Sequence, residues 1–304
     1  MTDNKIIIDW LQFTLLVDDG LAIVFRILKL NPADFERLDK GGLGYKDQLI
    51  NNNVRIYYNG NPGMGINTSI SGKGCRYMES QGQDLWSLVF RLARSARINI
   101  TRLDLALDTN VKLIDKIRAK IDKKEYISKS RSISYICKSG KNSTRTETIY
   151  IGSRSSDLMI RIYDKAVEQG LAEIDWERWE IVLKKDKIKE AIPLLKKGIS
   201  QTFKDILFTY FRPVQRIESN KSRSKICNWY LKFLGQVKKI SLYKDPAQRT
   251  IEDKWNWIEK QVAPTLALLS LAFDNTEFLS GLALGNTERI KQKDLELVRK
   301  YKEQ

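Results

Sequence analysis

The chain has 304 residues, 42% of them hydrophobic, enough to bury one large core or two ordinary ones. Its 53 Lys and Arg against 37 Asp and Glu give a net charge of +16, a balance that suits a polyanion, with nucleic acid ahead of an anionic membrane surface. The sequence contains no histidine, which excludes Ser-His-Asp and Cys-His nucleophile pairs, the His-Glu-x-x-His zinc site and any histidine metal cradle.

No apolar run approaches the length of a spanning helix, and the N-terminus lacks a cationic leader before an apolar stretch, so a cytosolic chain without a membrane partner is expected. Cys75, Cys137 and Cys227 are widely spaced, make neither a disulfide framework nor a zinc motif, and read as reduced structural residues.

In chain order, Lys5 to Leu16 reads as a strand with Ile7, Leu11, Phe13 and Leu15 on one side. Asp9 falls on that same apolar side, either as a paired structural carboxylate or as part of a site. Leu21 to Leu30 reads as a short helix, which Asn31-Pro32 breaks before a second helical piece from Ala33. After the turn at Gly41 to Tyr45, whose glycines lack phosphate-loop spacing, a hairpin follows: Val54 to Tyr58, the Asn59 to Gly63 turn, and Gly65 to Ile70. Leu85, Leu88, Val89 and Leu92 recur at helical spacing and predict a helix from about Asp84 to Ala93. Next come a strand at Thr101 to Asp108, an amphipathic helix at Val111 to Ile121, and a basic, serine-rich stretch from Lys123 to Arg145 with strand-like Ile133 to Ile136 inside it. Glu147 to Ile151 and Asp157 to Lys165 form a hairpin around Gly152-Ser-Arg-Ser-Ser156, where Arg154 is a candidate phosphate contact.

A last strand at Glu177 to Lys184 gives way to helices at Ile188 to Leu195, Gln201 to Phe211, Lys225 to Leu234 and Ile251 to Leu271, the last split or kinked by Pro264, with a charged helix after Gly285. Strands followed by helices predict an α+β protein: a largely antiparallel sheet domain with packed helices over residues 1–200, then a helical domain for DNA recognition or assembly over 201–304. Lys221, Arg223 and Lys225 are in the second part, either as a solvated linker or as DNA contacts.

Period two sorts three of these strands into an apolar and a polar face. Leu103, Leu105 and Leu107 oppose Arg102, Asp104 and Asp108; Leu158, Ile160 and Ile162 oppose Arg161, Tyr163 and Lys165; Trp179, Ile181 and Leu183 oppose Arg178, Glu180 and Lys184. A tyrosine, carboxylates and cations on one open sheet face are what metal-assisted attack of a tyrosine on a phosphodiester requires. A structural ion-pair network of Asp104 and Glu180 with Arg102 and Arg178 is the competing reading.

At Thr101-Arg-Leu-Asp-Leu-Ala-Leu-Asp108, Ile149-Tyr-Ile-Gly-Ser-Arg-Ser-Ser-Asp157 and Ile160-Arg-Ile-Tyr-Asp-Lys165 the sequence resembles the trans-acting Rep family of rolling-circle replication initiators of plasmids and phages, which is related to some conjugative relaxases. Ile8-Asp-Trp-Leu-Gln-Phe13, Gly41-Gly-Leu-Gly-Tyr45, Ser71-Gly-Lys-Gly-Cys75 and Arg178-Trp-Glu-Ile181 extend the resemblance over nearly all of the first 185 residues. It implies that Tyr163 is the nicking nucleophile, that Asp104 and Glu180 hold a divalent metal, Mg²⁺ or Mn²⁺, and that the protein is a homodimer. Some members carry a second acid two residues after the position of Glu180; here Val182 stands there, which leaves its place to Asp108, Asp9 or water.

A phenol has a pKa near 10, so attack at neutral pH needs a cation beside the phenolate. Lys165, about 6.6 Å along the same strand face, is the expected catalytic partner, with Arg161 beside it on the DNA. The expected products are a 5′-phosphotyrosine, later rejoined, and a 3′-hydroxyl that primes a polymerase, as in a nicking-closing, topoisomerase-like strand transferase. The expected partners are duplex origin DNA, single-stranded DNA and a host helicase. A mobilisation relaxase with the same chemistry, or a DNA-binding regulator without activity, are the alternatives.

Overall fold

A computed structural model describes residues 5–139, 145–171, 174–242, 250–290 and 292–303. The chain divides into two compact units, Met1–Tyr243 and Lys244–Gln304.

The first unit is built on a ten-stranded sheet. Its strands are β1 (Ile6–Leu15), β2 (Glu36–Leu38), β3 (Asp47–Asn51), β4 (Val54–Tyr58), β5 (Ile66–Ile70) and β6 (Ile98–Thr109); β7 (Tyr126–Ser128) lies outside it; β8 (Ile133–Ser139), β9 (Arg145–Ile151), β10 (Leu158–Asp164) and β11 (Glu177–Lys184) complete it. They pair antiparallel in the order β2-β3-β4-β5-β1-β6-β11-β10-β9-β8, while β7 pairs with β12 (Phe211–Pro213) in a separate ribbon. The helices are α1 (Leu21–Leu28), α2 (Gly72–Ser80), α3 (Leu85–Leu92), α4 (Ile114–Asp122), α5 (Lys165–Glu168), α6 (Asp186–Lys197), α7 (Ile199–Tyr210) and α8 (Asn228–Leu234). The α+β architecture expected from the sequence is the one observed.

Alternation along the central strands decides where the core sits. Leu103, Leu105 and Leu107, Ile160 and Ile162, and Trp179, Ile181 and Leu183 are buried together with Val24, Leu88, Ile117, Ile188, Phe203 and Ile206 from the helices. Fully burying a side chain of this kind contributes about 1.5–3 kcal/mol. Trp179 packs its ring 4.8 Å from that of Phe233 and 6.2 Å from that of Tyr230, both on α8. Helices beyond residue 200 therefore complete the core beneath β11. Strands do yield to helices near that point, but the first compact unit runs on to Tyr243.

Two segments depart from simple periodicity. In β1 the pairing with β6 slips between Ile8 and Trp10, so Asp9 is an extra residue, a β-bulge. Ile6 and Ile8 are buried, while Ile7 and Asp9 turn to the polar face rather than the apolar side expected for them. Helix α2 follows Ser71 directly, and its first residue packs close to the site: a Cβ on Gly72 would sit 2.9 Å from an Asp9 carboxylate oxygen, which would have to shift. Cys75 and Cys227 are buried and Cys137 is exposed.

The second unit contains α9 (Ile251–Trp257), a π-helical turn at Ile258–Val262, α10 (Ala263–Phe273), α11 (Glu277–Leu284) and α12 (Gln292–Lys302). Pro264 follows the π-helical turn directly, at the start of α10, so the irregularity expected in this long helix falls where its hydrogen bonding changes from π to α. Lys254 pairs with Asp294 at 3.0 Å within this unit. Among the described residues no helix is long and apolar enough to cross a membrane.

Candidate active site

The polar face of the central strands floors an open groove of about 910 Å³. Antiparallel register sets its floor as a grid. One row runs Asp108, Arg178, Tyr163, Thr148; the next runs Ala106, Glu180, Arg161, Tyr150; a third begins Trp10, Asp104, Val182. Tyr163, Lys165, Arg154, Arg161, Asp104 and Glu180, the residues singled out from the sequence, all line this groove. Arg154 reaches it from the β9–β10 turn, which Gly152 opens at φ +101°, where a Cβ would meet Leu158 O at 2.9 Å. Lys221, Arg223 and Lys225 are not brought there. They are exposed, and Arg223 and Lys225 line a second, smaller cavity with Gln215 and Arg216.

The Tyr163 phenol donates a 2.5 Å hydrogen bond to Glu180 Oε1. Burial raises its pKa well above the ordinary phenol value, and the Glu180 charge and hydrogen bond raise it further. The other Glu180 oxygen pairs with Arg161, whose Nη2 also lies 3.5 Å from Asp104 Oδ2. Arg102 grips Asp104 with both Nε, at 2.9 Å, and Nη2, at 2.6 Å. Both acids are 1% exposed, and burial pushes both carboxyls up against the pull of these arginines. Arg178 is held likewise: Nε and Nη2 contact Asp108 at 2.6 and 2.7 Å, and Nη1 contacts Asp9 at 3.0 Å. Burial works against its charge, but Asp108 and Asp9 together hold the guanidinium firmly protonated.

Two expectations change in detail. Arg178 serves Asp108 and Asp9, so the arginines on the Asp104 and Glu180 pair are Arg102 and Arg161. Lys165 does not continue the strand: β10 ends at Asp164, whose carboxylate caps α5 by accepting from Val167 N at 3.0 Å. Lys165 Nζ pairs with Glu168 and lies 5.7 Å from the Tyr163 ring centroid, while the phenol oxygen itself is engaged by Glu180. Trp10 and Trp176, with Lys73 and Arg76 of α2, line the groove without having been singled out from the sequence as site residues.

The donor set suits a hard divalent cation. Among the described residues no group of three or more acidic or thiol side chains forms a cage. A Mg²⁺ ion is nevertheless commonly held by one or two carboxylates together with waters and substrate phosphates, and Asp104 and Glu180 are two carboxylates that already converge on one cation, the Arg161 guanidinium.

The family described as replication initiation factor matches residues 98–282, and the rolling circle replication initiation protein N-terminal domain matches residues 5–89. The chain is 26% identical over 280 residues to a Bacillus subtilis (strain 168) protein provisionally named DNA relaxase NicK, covering 86% of this chain and 80% of that protein. It is 30% identical to the rolling circle replication initiator protein from Geobacillus stearothermophilus, whose structure superposes with a TM-score of 0.69 over 76% of this chain and 95% of that one.

Proposed function

We propose that this chain, which belongs to the replication initiation factor family, nicks one strand of DNA at its origin and later rejoins it, with Tyr163 as the nucleophile. Tyr163 Oη attacks the scissile phosphorus, the bond from phosphorus to the 3′-oxygen breaks, and the strand is left as a 5′-phosphotyrosine and a free 3′-hydroxyl that primes replication. The observation that carries this reading is the hydrogen bond from Tyr163 Oη to Glu180 Oε1 beside Asp104 and Arg161 on an open, cation-rimmed face. The phenol is protonated at rest and its proton already points at a carboxylate.

Arg161, freed from the two acids, and Arg154 on the hairpin turn are placed to bind phosphate oxygens, and Lys165 balances the charge beside the phenol ring. Asp104 and Glu180 would hold Mg²⁺ or Mn²⁺, whose chemistry when bound is polarisation of the scissile phosphate and stabilisation of charge on the leaving 3′-oxygen. Asp9 and Asp108 keep Arg178 in place one row away. The partners in this reading are duplex origin DNA, single-stranded DNA, a host helicase and a second copy of the chain, in the cytoplasm, with Lys221, Arg223 and Lys225 as duplex contacts. Similarity to NicK favours DNA mobilisation as a second role for the same chemistry.

Incubation with supercoiled DNA carrying the cognate origin, with and without Mg²⁺, tests the proposal. Metal-dependent conversion to the open circle with protein covalently attached is expected; binding without nicking would leave a regulator.

A further inference from the structure

We infer that Trp10 and Arg102 form a stacking platform for one nucleobase of the single strand that leads along the groove to Tyr163; the inference rests on the DNA-nicking reading above. Just past the bulge at Asp9, Trp10 alternates with buried Leu11 and lies on the groove face, in register with Asp104 of the neighbouring strand. Arg102 Cζ lies over the indole, 4.3 Å from the ring centroid. Its guanidinium is fixed there because Nε and Nη2 both bond Asp104. The result is a preformed planar, cationic surface, the kind on which unpaired bases stack irrespective of sequence.

A second observation concerns the indole N–H. Trp86 Nε1 donates to Ile6 O and Trp179 Nε1 to Glu177 Oε1, whereas Trp10 Nε1 is shielded from solvent with no hydrogen-bond partner. A buried donor without an acceptor is rare in a folded chain and sets Trp10 apart from the packing tryptophans. The indole of Trp10 is therefore oriented by the Arg102 guanidinium over its ring rather than by a hydrogen bond, which leaves ring stacking as its mode of contact. Trp10 is three strands away from Tyr163 and two side-chain rows along, about 20 Å by strand spacing and rise, so the stacked base is a few nucleotides from the scissile phosphate. Lys73 and Arg76 of α2, which packs on β1, line the same groove and suit the backbone of a strand lying in it.

The test uses the full-length chain with Tyr163→Phe, so that cleavage does not disturb equilibrium binding. Affinity is measured by fluorescence anisotropy for short single-stranded oligonucleotides spanning the mapped nick site, each with one abasic position. One position a few nucleotides from the nick should weaken binding by about tenfold, within the range for a base on an aromatic side chain. Adding Trp10→Ala should weaken the intact strand by a similar factor and abolish sensitivity to that position. Trp10→Phe, which keeps a ring and loses the N–H, should retain the sensitivity at reduced size; this milder variant and the scan of the parent decide the matter should the alanine variant fail to fold. Undiminished affinity of Trp10→Ala for the intact strand, unchanged sensitivity to the abasic position, or a parent with no sensitive position would overturn the platform while leaving adduct formation by the unmodified chain intact. Absence of both adduct and single-strand binding in the unmodified chain would remove the nicking reading and the platform with it.

Discussion

Tyr163 and Glu180 are diagonal neighbours across β10 and β11. Tyr163 lies opposite Arg178 and Glu180 opposite Arg161, and the phenol reaches across one register step to donate to Glu180 Oε1 at 2.5 Å. The step matters because the alternative partner, Arg178, is drawn away to Asp108 and Asp9. The nucleophile candidate thus rests against an acceptor rather than a cation, with its proton in place until DNA enters.

Tyr163→Phe removes one oxygen and almost no packing area, and Glu180 keeps its pairing with Arg161. Stability should change by no more than about 1 kcal/mol, the usual scale for one hydrogen bond. Covalent attachment to labelled DNA, read on a denaturing gel, should disappear while duplex binding remains near normal. Tyr150, opposite Arg161 on β9, is the nearest alternative; an adduct that persists in Tyr163→Phe and vanishes in Tyr150→Phe would move the nucleophile there.

Asp104→Asn and Glu180→Gln each remove a charge from a carboxyl that burial already disfavours as an anion. Cleavage should fall sharply and recover in part as Mn²⁺ is raised, because a weakened oxygen site is still filled by mass action. Thermal midpoints should also fall, since each change leaves an arginine without its counter-charge, Arg102 for Asp104 and Arg161 for Glu180. Full cleavage by the unmodified chain in excess EDTA would remove the metal from the mechanism.

Glu177 offers a pH test away from the groove. Its Oε2 accepts from Leu113 N at 2.9 Å and Ile114 N at 2.8 Å, fastening the start of α4, and its Oε1 accepts from Trp179 at 2.7 Å. Burial nevertheless raises its pKa from 4.5 to about 7. The folded chain then holds a proton that the unfolded chain has released, so this group's contribution to stability is greatest below about pH 4.5 and is lost as pH rises to about 7. Asp104 and Glu180, also raised by burial, act with the same sign. Asp47, Asp84 and Glu125 are lowered and act oppositely, at lower pH. Thermal midpoints followed from acid to neutral pH should fall less steeply in Glu177→Gln than in the unmodified chain; parallel curves would assign the titration elsewhere.

Alternation exposed Asp104, Arg161, Tyr163 and Glu180 in the sequence because β6, β10 and β11 are regular where those residues lie, and one buried face forces the other outward. It failed for Ile7 and Asp9 because a bulge adds one residue and inverts the parity of everything before it, which period two cannot register. It failed for Lys165 because Asp164 caps a helix there, and an Asp followed by Lys-Ala-Val-Glu is a start signal that strand reading passed over. Strand order was also illegible: β11 inserts between β6 and β10 through pairings distant in sequence. The same holds for α8, whose place under Trp179 is set by ring packing across more than one element.

That packing makes truncation informative. Phe203, Ile206, Leu207, Phe211, Tyr230 and Leu234 are all buried in the core. A chain cut at residue 200 should lose cooperative melting, whereas one ending at Tyr243 should keep both a sigmoidal transition and cleavage of a single-stranded oligonucleotide. A folded, active product from the shorter cut would show that the helices after 200 are dispensable to the sheet.

Because the cut at Tyr243 retains Lys221, Arg223 and Lys225, the role of that basic cluster has to be tested by substitution. All three side chains are exposed at or just after the helical turn Lys221–Arg223, so replacing them together with alanine should leave the melting transition in place. If each neutralises one phosphate, the slope of log K against log salt for duplex origin DNA should become shallower by about 0.9 for every phosphate no longer neutralised. Cleavage of a short single strand, which needs only the groove, should be unaffected. The triple variant keeps most of the +16 net charge and is expected to retain some affinity for DNA, so the slope and the preference for origin over competitor duplex are the quantities to compare. A slope equal to that of the unmodified chain would make the cluster a solvated linker and leave duplex recognition to the face around Arg154.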